Sequence, residues 1–341
     1  MSSISPGFDH AARTAAVIGT EEEAVGVAGT LAALFDDAVP GDEAALERLA
    51  RSGLFGISIP TEYGGIDVPN AVLAEVCAVA AAGSAALGDI LAAHFVALET
   101  LRSHGTEGQR AVVFPAVLAG ARLSRAAAFR RGGDGDEAMA LAASGLHWRI
   151  GGEALATPCT RHADWIVLPA CLETGRTGGV LLPAHAGGLH YVANGLEPAA
   201  AEHVLFRDVT VENDALMAPA LSRTEVFRAL DLLLEAARAL GAGRRRLAEL
   251  LDAAEENAVA TGLASARLSA ASAMVAEAGR AVDAAQLGLA AHHRTNAFHA
   301  AVAALSAARE SAGLPEVPEA LLVESGEMLR EAHRQPPEEA Q

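Results

Sequence analysis

The stretch "SGLFGISIPTEYGG", residues 52–65, contains four glycines, one proline and one tyrosine, and it directly follows an amphipathic helical segment. Glycine widens the range of backbone conformations that a loop can adopt, whereas proline narrows it. Their alternation predicts a tight turn of defined shape rather than a flexible linker. We call residues 52–65 the turn segment, and the pattern on either side of it indicates the fold.

Around the turn segment, apolar residues recur at a spacing of three to four, which predicts helices from about residue 21 to residue 119. Glycines at positions 53, 83, 105 and 120 stand where helices are expected to end. The sequence therefore predicts an N-terminal helical domain over residues 1–120. Its helical segments are "EEEAVGVAGTLAALFDDA", "DEAALERLARSG", "NAVLAEVCAVAAAGS", "GDILAAHFVALETLRSHG" and "TEGQRAVVFPAVLAG".

The pattern changes between about residues 122 and 216, where short runs rich in Val, Ile and Leu are separated by Gly and Pro. Such runs are typical of antiparallel strands. We therefore predict a small central antiparallel β domain over residues 121–219. Its strand segments are "GLHWRIGGEALAT", "ADWIVLPACLE", "GGVLLPAHAGGLHYV" and "EHVLFRDVTVEN".

The C-terminal part, residues 220–335, contains four long helical patterns and is expected to form an antiparallel helical bundle. Ser222 and Glu225 have the spacing of a capping box at the start of the first helix. Residues 336–341 are expected to be a frayed tail. The predicted fold class is thus α+β, with a helical domain, a β domain and a helical bundle in that order.

Composition limits the partners that this chain is expected to have. Forty-three acidic residues against 25 basic ones give a net charge of −18, and every basic residue other than histidine is an arginine. Such a surface repels phosphate backbones and anionic lipids, so neither nucleic acid nor membrane is an expected partner. The longest apolar tract, residues 71–87, includes Glu75 and is too short for a membrane span.

The cysteines and the N-terminus indicate the compartment. The three cysteines, Cys77, Cys159 and Cys171, have no paired spacing and favour a reducing environment over a disulfide framework. No apolar run with a basic start marks a secretion signal at the N-terminus. A cytoplasmic protein is therefore expected.

Other chemical motifs are weak. His292 and Asn296 lie one helical turn apart, but a zinc site needs a third ligand, and a solvated helix is favoured. Arg244, Arg245 and Arg246 are adjacent, so they spread around a helix and favour a charged surface over a phosphate clamp. Cys159 has no partner at a spacing that would make it a nucleophile. The Walker, dinucleotide and GxSxG motifs do not occur.

The domain order, together with "GLFGISIPTEYGG", resembles the acyl-CoA dehydrogenase superfamily. The resemblance is greatest to its flavin monooxygenase branch, the flavin-dependent sulfur-acquisition oxidoreductases and dibenzothiophene desulfurisation monooxygenases. It covers most of residues 45–280. Three further segments carry it: "GDILAAHFVALETLRSHGTEGQR", "HWRIGGEALATPCTRHADWIVLP" and "VLFRDVTVENDALM".

The resemblance implies a flavin-dependent oxidoreductase that binds FMN or FAD between the β domain and the bundle. It also implies a reduced-flavin monooxygenase reaction on a small-molecule or acyl substrate, and a homo-oligomer or a hetero-oligomer with a paralogue. His94, in "LAAHFVAL", corresponds to a histidine that faces the flavin and would be the catalytic acid or base. The alternative is a polar helix residue bonded to a neighbouring carbonyl. Thr157 would contact the flavin near N5.

The segment "RLSRAAAFRRGGDGD" departs from the family pattern, because Ala128 and Phe129 occupy positions from which the family contacts its flavin. Glu197 and Glu202 add carboxylates where the family pattern has an arginine and small residues, and such charges oppose an anionic cofactor. The chain is also expected to be C-terminally shortened relative to the family. These departures support an alternative function, a flavin-free homologue that acts as a binding or partner subunit.

Overall fold

The computed structural model describes residues 4, 14–35, 42–128, 138–172, 177–192, 202–217, 224–253, 258–288 and 290–334. The described residues follow the predicted order of helices, sheet and helices, which confirms the α+β fold class. Contacts divide the chain into two compact units. The first unit is Met1–Asp67 with Asp89–Leu221, and the second is Val68–Gly88 with Ser222–Gln341.

The helices have bounds close to those predicted from apolar spacing. They are α1 (Glu21–Phe35), α2 (Glu43–Arg51), α3 (Asn70–Gly83), α4 (Ala85–His104), α5 (Glu107–Leu118), α6 (Thr224–Asp252), α7 (Ala258–Leu287), α8 (Ala291–Ala312) and α9 (Glu319–Arg334). The strands are β1 (Leu123–Ala128), β2 (Met139–Ser144), β3 (His147–Ala156), β4 (Trp165–Leu172), β5 (Thr177–Pro183), β6 (Leu189–Val192) and β7 (Glu202–Val211).

The turn segment has the constrained backbone that its sequence predicts. Gly53 and Gly64 have φ angles of 83° and 91°, in the left-handed region that favours glycine. A Cβ atom on Gly53 would lie 2.2 Å from the carbonyl oxygen of Ala16, so a larger residue has no room there. The ring of Tyr63 packs edge-on against Phe114, with 4.8 Å between the ring centroids. The prediction of a tight, shaped turn is therefore confirmed.

A capping box begins α5. The Thr106 hydroxyl accepts a hydrogen bond from the Gln109 backbone N–H at 3.2 Å, and the Gln109 side chain accepts one from the Thr106 N–H at 2.9 Å. The capping box predicted at Ser222 and Glu225 involves a residue outside the described part of the chain and stays a prediction.

The seven strands form one sheet in the order β1-β4-β2-β3-β7-β6, with β5 paired to β4. β1 and β2 share one position in the sheet, between β3 and β4. Both strands pair antiparallel with β3 and parallel with β4. β1 ends at Ala128, and β2 begins at Met139. The remaining pairings are antiparallel as predicted. The two parallel pairings arise because β3 and β4 run in opposite directions on either side of the position that β1 and β2 share.

In the second unit, α3 packs against α6 and α7. Glycines allow the close approach: a Cβ atom on Gly241 would lie 2.5 Å from the Ala78 carbonyl oxygen. One on Gly279 would lie 2.5 Å from the Cα of Ala71. Thus α3, which the sequence analysis assigns to the N-terminal domain, lies with the C-terminal helices. The predicted domain boundaries themselves stay a prediction.

Polar contacts hold α3 to the same helices. Arg244 of α6 forms a two-point ion pair with Glu75, at 2.7 and 2.8 Å. The buried Asn70 side chain donates to Asp283 at 2.6 Å and to Gln286 at 2.8 Å. These bonds satisfy the polar groups of α3 where it is buried.

Helix α7 exposes much of its apolar surface within the second unit. Leu263 and Leu287, on opposite halves of the helix, are 50% and 87% exposed. In length and composition, α7 is the one described helix that could span a membrane, although a single helix of this kind is weak evidence. An apolar helix face left uncovered in a bundle is equally typical of an interface with another protein chain.

Candidate functional site

His94 lies at the centre of a buried polar network in the first unit. It projects from α4 and has no solvent exposure. Its Nδ1 accepts a hydrogen bond from the Leu123 N–H at 3.1 Å, and its Nε2 lies 3.0 Å from the Phe55 carbonyl oxygen. Because a backbone N–H only donates, Nδ1 is unprotonated, and the proton is assigned to Nε2, which donates to Phe55. Both ring nitrogens are therefore engaged within the protein.

Burial lowers the pKa of His94 from 6.5 to about 4. The positive charge of Arg122 adds to this effect, and the hydrogen bonds to Phe55 and Leu123 only partly oppose it. The imidazole is therefore neutral near pH 7. In this state His94 joins the turn segment, through Phe55, to the first residue of β1.

Three hydroxyl groups meet where β3 ends. The Ser124 hydroxyl is within hydrogen-bond distance of the hydroxyls of both Thr157 and Thr160, and the Thr160 hydroxyl donates to the Thr157 carbonyl. Thr157 is half-buried, whereas Ser124 and Thr160 are buried. If Ser124 donates to Thr157, the Thr157 proton is left with two long contacts, 3.4 Å to the Thr160 hydroxyl and 3.5 Å to the Arg125 carbonyl. Thr157 can therefore donate its hydroxyl proton to a ligand without leaving the cluster unsatisfied.

Of the predicted cofactor-binding residues, Ala128 ends β1 and Thr157 directly follows β3. Ala128, the last residue of β1, is half-buried and pairs with Ala154. The Thr157 N–H donates to the Arg125 carbonyl at 3.0 Å. Ala128 comes five positions after Leu123, a span of about 17 Å at ~3.3 Å per residue. His94 and Ala128 are therefore at opposite ends of β1. Phe129 lies outside the described residues.

A flavin needs hydrogen-bond donors along one edge of its ring and an apolar surface against its face. Thr157 fits as a donor, and Ala128 offers an apolar surface. His94 does not fit as a direct contact in this arrangement, because neither ring nitrogen is available. Of the two carboxylates noted in the sequence, Glu202 is paired with Arg161 at 2.9 Å, and Glu197 is outside the described residues.

The structure also contains a buried charge that the sequence analysis missed. Arg122, directly before β1, is 5% exposed, and its guanidinium donates to the Cys159 carbonyl oxygen. Its backbone N–H donates to the Asp164 carboxylate at 2.7 Å, and the Asp164 N–H donates to the Arg122 carbonyl at 2.9 Å. Burial lowers the pKa of Arg122. No local pattern marks it, because an arginine after a helix-ending glycine suggests an exposed loop.

Next to Arg122 is a cavity of about 490 Å³, which we call the Arg122 cavity. Its lining includes Glu43 and Glu47 from α2, Phe55 from the turn segment, and Arg122, His162 and Asp164 from the β region. Elsewhere, the rings of His292 and His293 lie 4.1 Å apart between centroids, with their planes tilted by 41°. Among the described residues, no three His, Cys, Asp or Glu side chains come together as they would at a metal site.

Comparisons with known proteins give matches in sequence and in fold. Residues 21–121 match the family model "Acyl-CoA dehydrogenase, N-terminal domain". The FMN-bound structure of TdsC, a dibenzothiophene monooxygenase from Paenibacillus sp. A11-2, superposes with a TM-score of 0.76 and covers 92% of this chain and 98% of that one. This is the acyl-CoA dehydrogenase fold. Butyryl-CoA dehydrogenase from Megasphaera elsdenii shares it, with a TM-score of 0.73 and coverage of 92% and 99%.

The predicted resemblance to the acyl-CoA dehydrogenase superfamily is therefore confirmed in the N-terminal sequence match and in the fold. Sequence identity is 19% to TdsC and 14% to butyryl-CoA dehydrogenase, so these structures show the fold alone. No curated protein matches the sequence. Within the acyl-CoA dehydrogenase fold, the chemistry has to be argued from the residues of this chain.

Proposed function

We propose that the protein is a flavin-dependent oxidoreductase of the reduced-flavin monooxygenase type, acting on a small-molecule or acyl substrate. The observation that carries the proposal is the half-buried Thr157 hydroxyl, whose proton is available to a ligand when the Ser124 hydroxyl donates to it. TdsC, which shares the fold, has been solved with FMN bound. FMN is therefore the first cofactor to test, with FAD as the alternative.

In this proposal, the Thr157 hydroxyl donates to the flavin ring and Ala128 lies against it. A cofactor contact by Phe129 stays a prediction. A bound flavin supplies two-electron transfer and, when reduced, reaction with dioxygen. The protein would orient the ring, shield it from water and hold the substrate beside it.

The contacts of His94 favour a positioning role over acid–base catalysis. To donate or accept a proton at a ligand, the ring would first have to break its bond to Phe55 or to Leu123. Its pKa of about 4 also keeps it from being a proton donor near pH 7. A catalytic role for His94 stays a prediction, and it requires a rearrangement of α4 or the turn segment when a ligand binds.

The enclosed state of His94 favours a second candidate function, a flavin-free binding or partner subunit. In that case the network of His94, Phe55 and Leu123 stabilises a retained fold, and Thr157 is one member of a structural hydroxyl cluster. The two candidates differ in one measurable property, the affinity for a flavin.

The test is a fluorescence titration of the purified protein with FMN and with FAD. We expect saturable quenching at one flavin per chain. Thr157→Val removes the hydroxyl at nearly constant volume, and the loss of one hydrogen bond of about 1 kcal/mol weakens binding about fivefold. Thr157→Ser keeps the hydroxyl and is the matched control, with affinity near that of the wild type. Quenching by neither flavin would contradict the enzyme proposal and support the flavin-free subunit.

We also propose that the apolar face of α7 is buried against another chain, either a second copy or a paralogue. Support comes from Leu263 and Met274, which are 50% and 37% exposed and lie eleven residues apart, on one face of the helix that no described helix covers. Light scattering in detergent-free buffer should show an oligomer, and Leu263→Glu should shift it toward the monomer. Arg280→Glu, at an exposed charged position of the same helix, is the control. A monomeric wild type would contradict this assignment.

A cytoplasmic location without a nucleic-acid or membrane partner remains part of the proposal. It rests on the net charge of −18 and on the three cysteines, whose spacing in the sequence shows no disulfide framework. Cell fractionation tests it. Recovery of the protein in the membrane pellet would make the apolar surface of α7 a lipid contact instead.

A further inference from the structure

The Arg122 cavity has an unusual electrostatic requirement. Arg122 is only 5% exposed, yet within the part of the chain that the structure describes its guanidinium forms no ion pair, and its one side-chain hydrogen bond there goes to the neutral Cys159 carbonyl. The carboxylates of Asp164 and Glu202 stabilise this charge without bonding to the guanidinium. A guanidinium has five N–H donors, and buried donors that lack a partner are costly. The adjoining cavity is the place from which an anion could satisfy the remaining donors.

Charge around the cavity is not uniform. Glu43 and Glu47 lie one turn apart, so they project from the same face of α2, and both line the cavity. Arg122 and Arg161 line it from the β region together with Asp164. Burial, followed by the charges of the two arginines, lowers the pKa of His162, so this imidazole adds no positive charge near pH 7.

We propose that the Arg122 cavity binds a small zwitterion with one carboxylate and one ammonium group. The carboxylate bonds to the Arg122 guanidinium, which is suited to planar oxyanions. The ammonium group faces Glu43, because Glu47 is already paired with Arg51 at 2.8 Å. Arg161 is neutralised by Glu202 and Glu47 by Arg51, so the lining charge is set by Arg122 against the carboxylates of Glu43 and Asp164. A dianion such as phosphate is therefore repelled, and a ligand carrying both charges is favoured.

The size of the cavity fits this class of ligand. A volume of about 490 Å³ is within the range of small-molecule sites and exceeds what a single carboxylate would fill. Phe55 and Leu46 provide apolar surface for a short aliphatic chain between the two charged groups. The assignment uses the residues of the first unit only, and it holds whether or not the protein binds a flavin.

Calorimetric titration of the full-length protein tests the assignment with defined probes. These are 4-aminobutanoate and 6-aminohexanoate as zwitterions, butanoate and butylamine as singly charged analogues, and inorganic phosphate as a dianion. We expect at least one zwitterion to bind about tenfold or more tightly than butanoate and butylamine. Equal binding of butanoate, tighter binding of butylamine or phosphate, or no binding by any probe would overturn the proposal.

Variants then assign the two ends of the ligand. Glu43→Gln should weaken zwitterion binding about fivefold or more and leave butanoate binding equal or stronger. Glu22→Gln, at an exposed position of α1 outside the cavity lining, is the matched control and should bind as the wild type does. Arg122→Gln should abolish binding of both ligands. If Arg122→Gln does not fold, Glu43→Gln still decides, because unchanged zwitterion affinity in that folded variant refutes the proposed orientation.

Discussion

Protonation of His94 is expected to make the first unit sensitive to acid. The pKa of this histidine is about 4 in the folded protein and 6.5 when unperturbed, so between these values the unfolded chain holds more protons. Stability therefore falls as the pH falls through this range. The full difference corresponds to about 3 kcal/mol, at ~1.4 kcal/mol per pKa unit. Between pH 7.5 and 5.0 the expected loss from this group is about 2 kcal/mol.

The assay is urea unfolding at pH 7.5 and pH 5.0, followed by tryptophan fluorescence. Both tryptophans, Trp148 and Trp165, lie in the sheet and report on the unit that contains His94. The comparison variant is His94→Gln, whose amide can donate to the Phe55 carbonyl and accept from the Leu123 N–H but does not titrate. Other titrating groups, such as His162, are common to both proteins and cancel in the difference.

We expect the wild type to lose about 2 kcal/mol more than His94→Gln between the two pH values. His94→Leu should be less stable than His94→Gln at pH 7.5, by roughly 2 to 6 kcal/mol. This range arises because the Leu123 N–H and the Phe55 carbonyl are both left buried without a partner, at about 1–3 kcal/mol each. If wild type and His94→Gln lose the same stability on acidification, the enclosed, neutral state of His94 is refuted.

Three further outcomes are expected. Gly241→Ala should destabilise the second unit by about 1–3 kcal/mol because its Cβ would lie 2.5 Å from the Ala78 carbonyl oxygen, whereas Gly262→Ala, with open space around it, should not destabilise; thermal denaturation compares the two. Asn70→Ala should lower stability by about 1–3 kcal/mol in urea titrations, since the Asp283 carboxylate loses a buried donor. In light scattering, raised salt should not dissociate an oligomer formed by apolar surface.

Local patterns in the sequence predicted most of the helices and strands. The spacing of apolar residues predicted the positions of α4 and β4 closely. The buried face of a helix and a run of branched residues in a strand both leave a pattern within one short segment of sequence. The strand at Leu123–Ala128 gave no such signal. Its sequence "LSRAAA" is rich in alanine, which is depleted in strands, and its conformation is set by the pairing with β3 and β4.

The pairing of distant segments explains what the sequence left undetermined in the fold. The position of α3 depends on Gly241 and Gly279, which are more than 150 residues away in the chain and permit its close packing. Nothing within residues 70–83 indicates that partner. The position that β1 and β2 share in the sheet is likewise set by their pairing with β3 and β4, which come later in the sequence.

In the candidate site, the sequence identified His94 and Thr157 as residues of interest. It did not indicate the protonation of His94 or the hydrogen bonding of Thr157. Thr157 lies where a hydroxyl could meet a ligand, and this depends on Ser124 and Thr160. The neutral state of His94 depends on its burial. Arg122 escaped notice because the cost of a buried charge is visible only after folding.

Absorbance after reconstitution tests the central claim most directly. The purified protein is incubated with excess FMN or FAD, desalted and scanned through the visible range. The proposed oxidoreductase predicts that a flavin band is retained at one equivalent per chain, and that the Thr157→Val variant retains less than Thr157→Ser. A colourless wild-type protein after desalting, with no fluorescence quenching of either flavin in solution, would contradict it and leave the flavin-free binding subunit as the function of this fold.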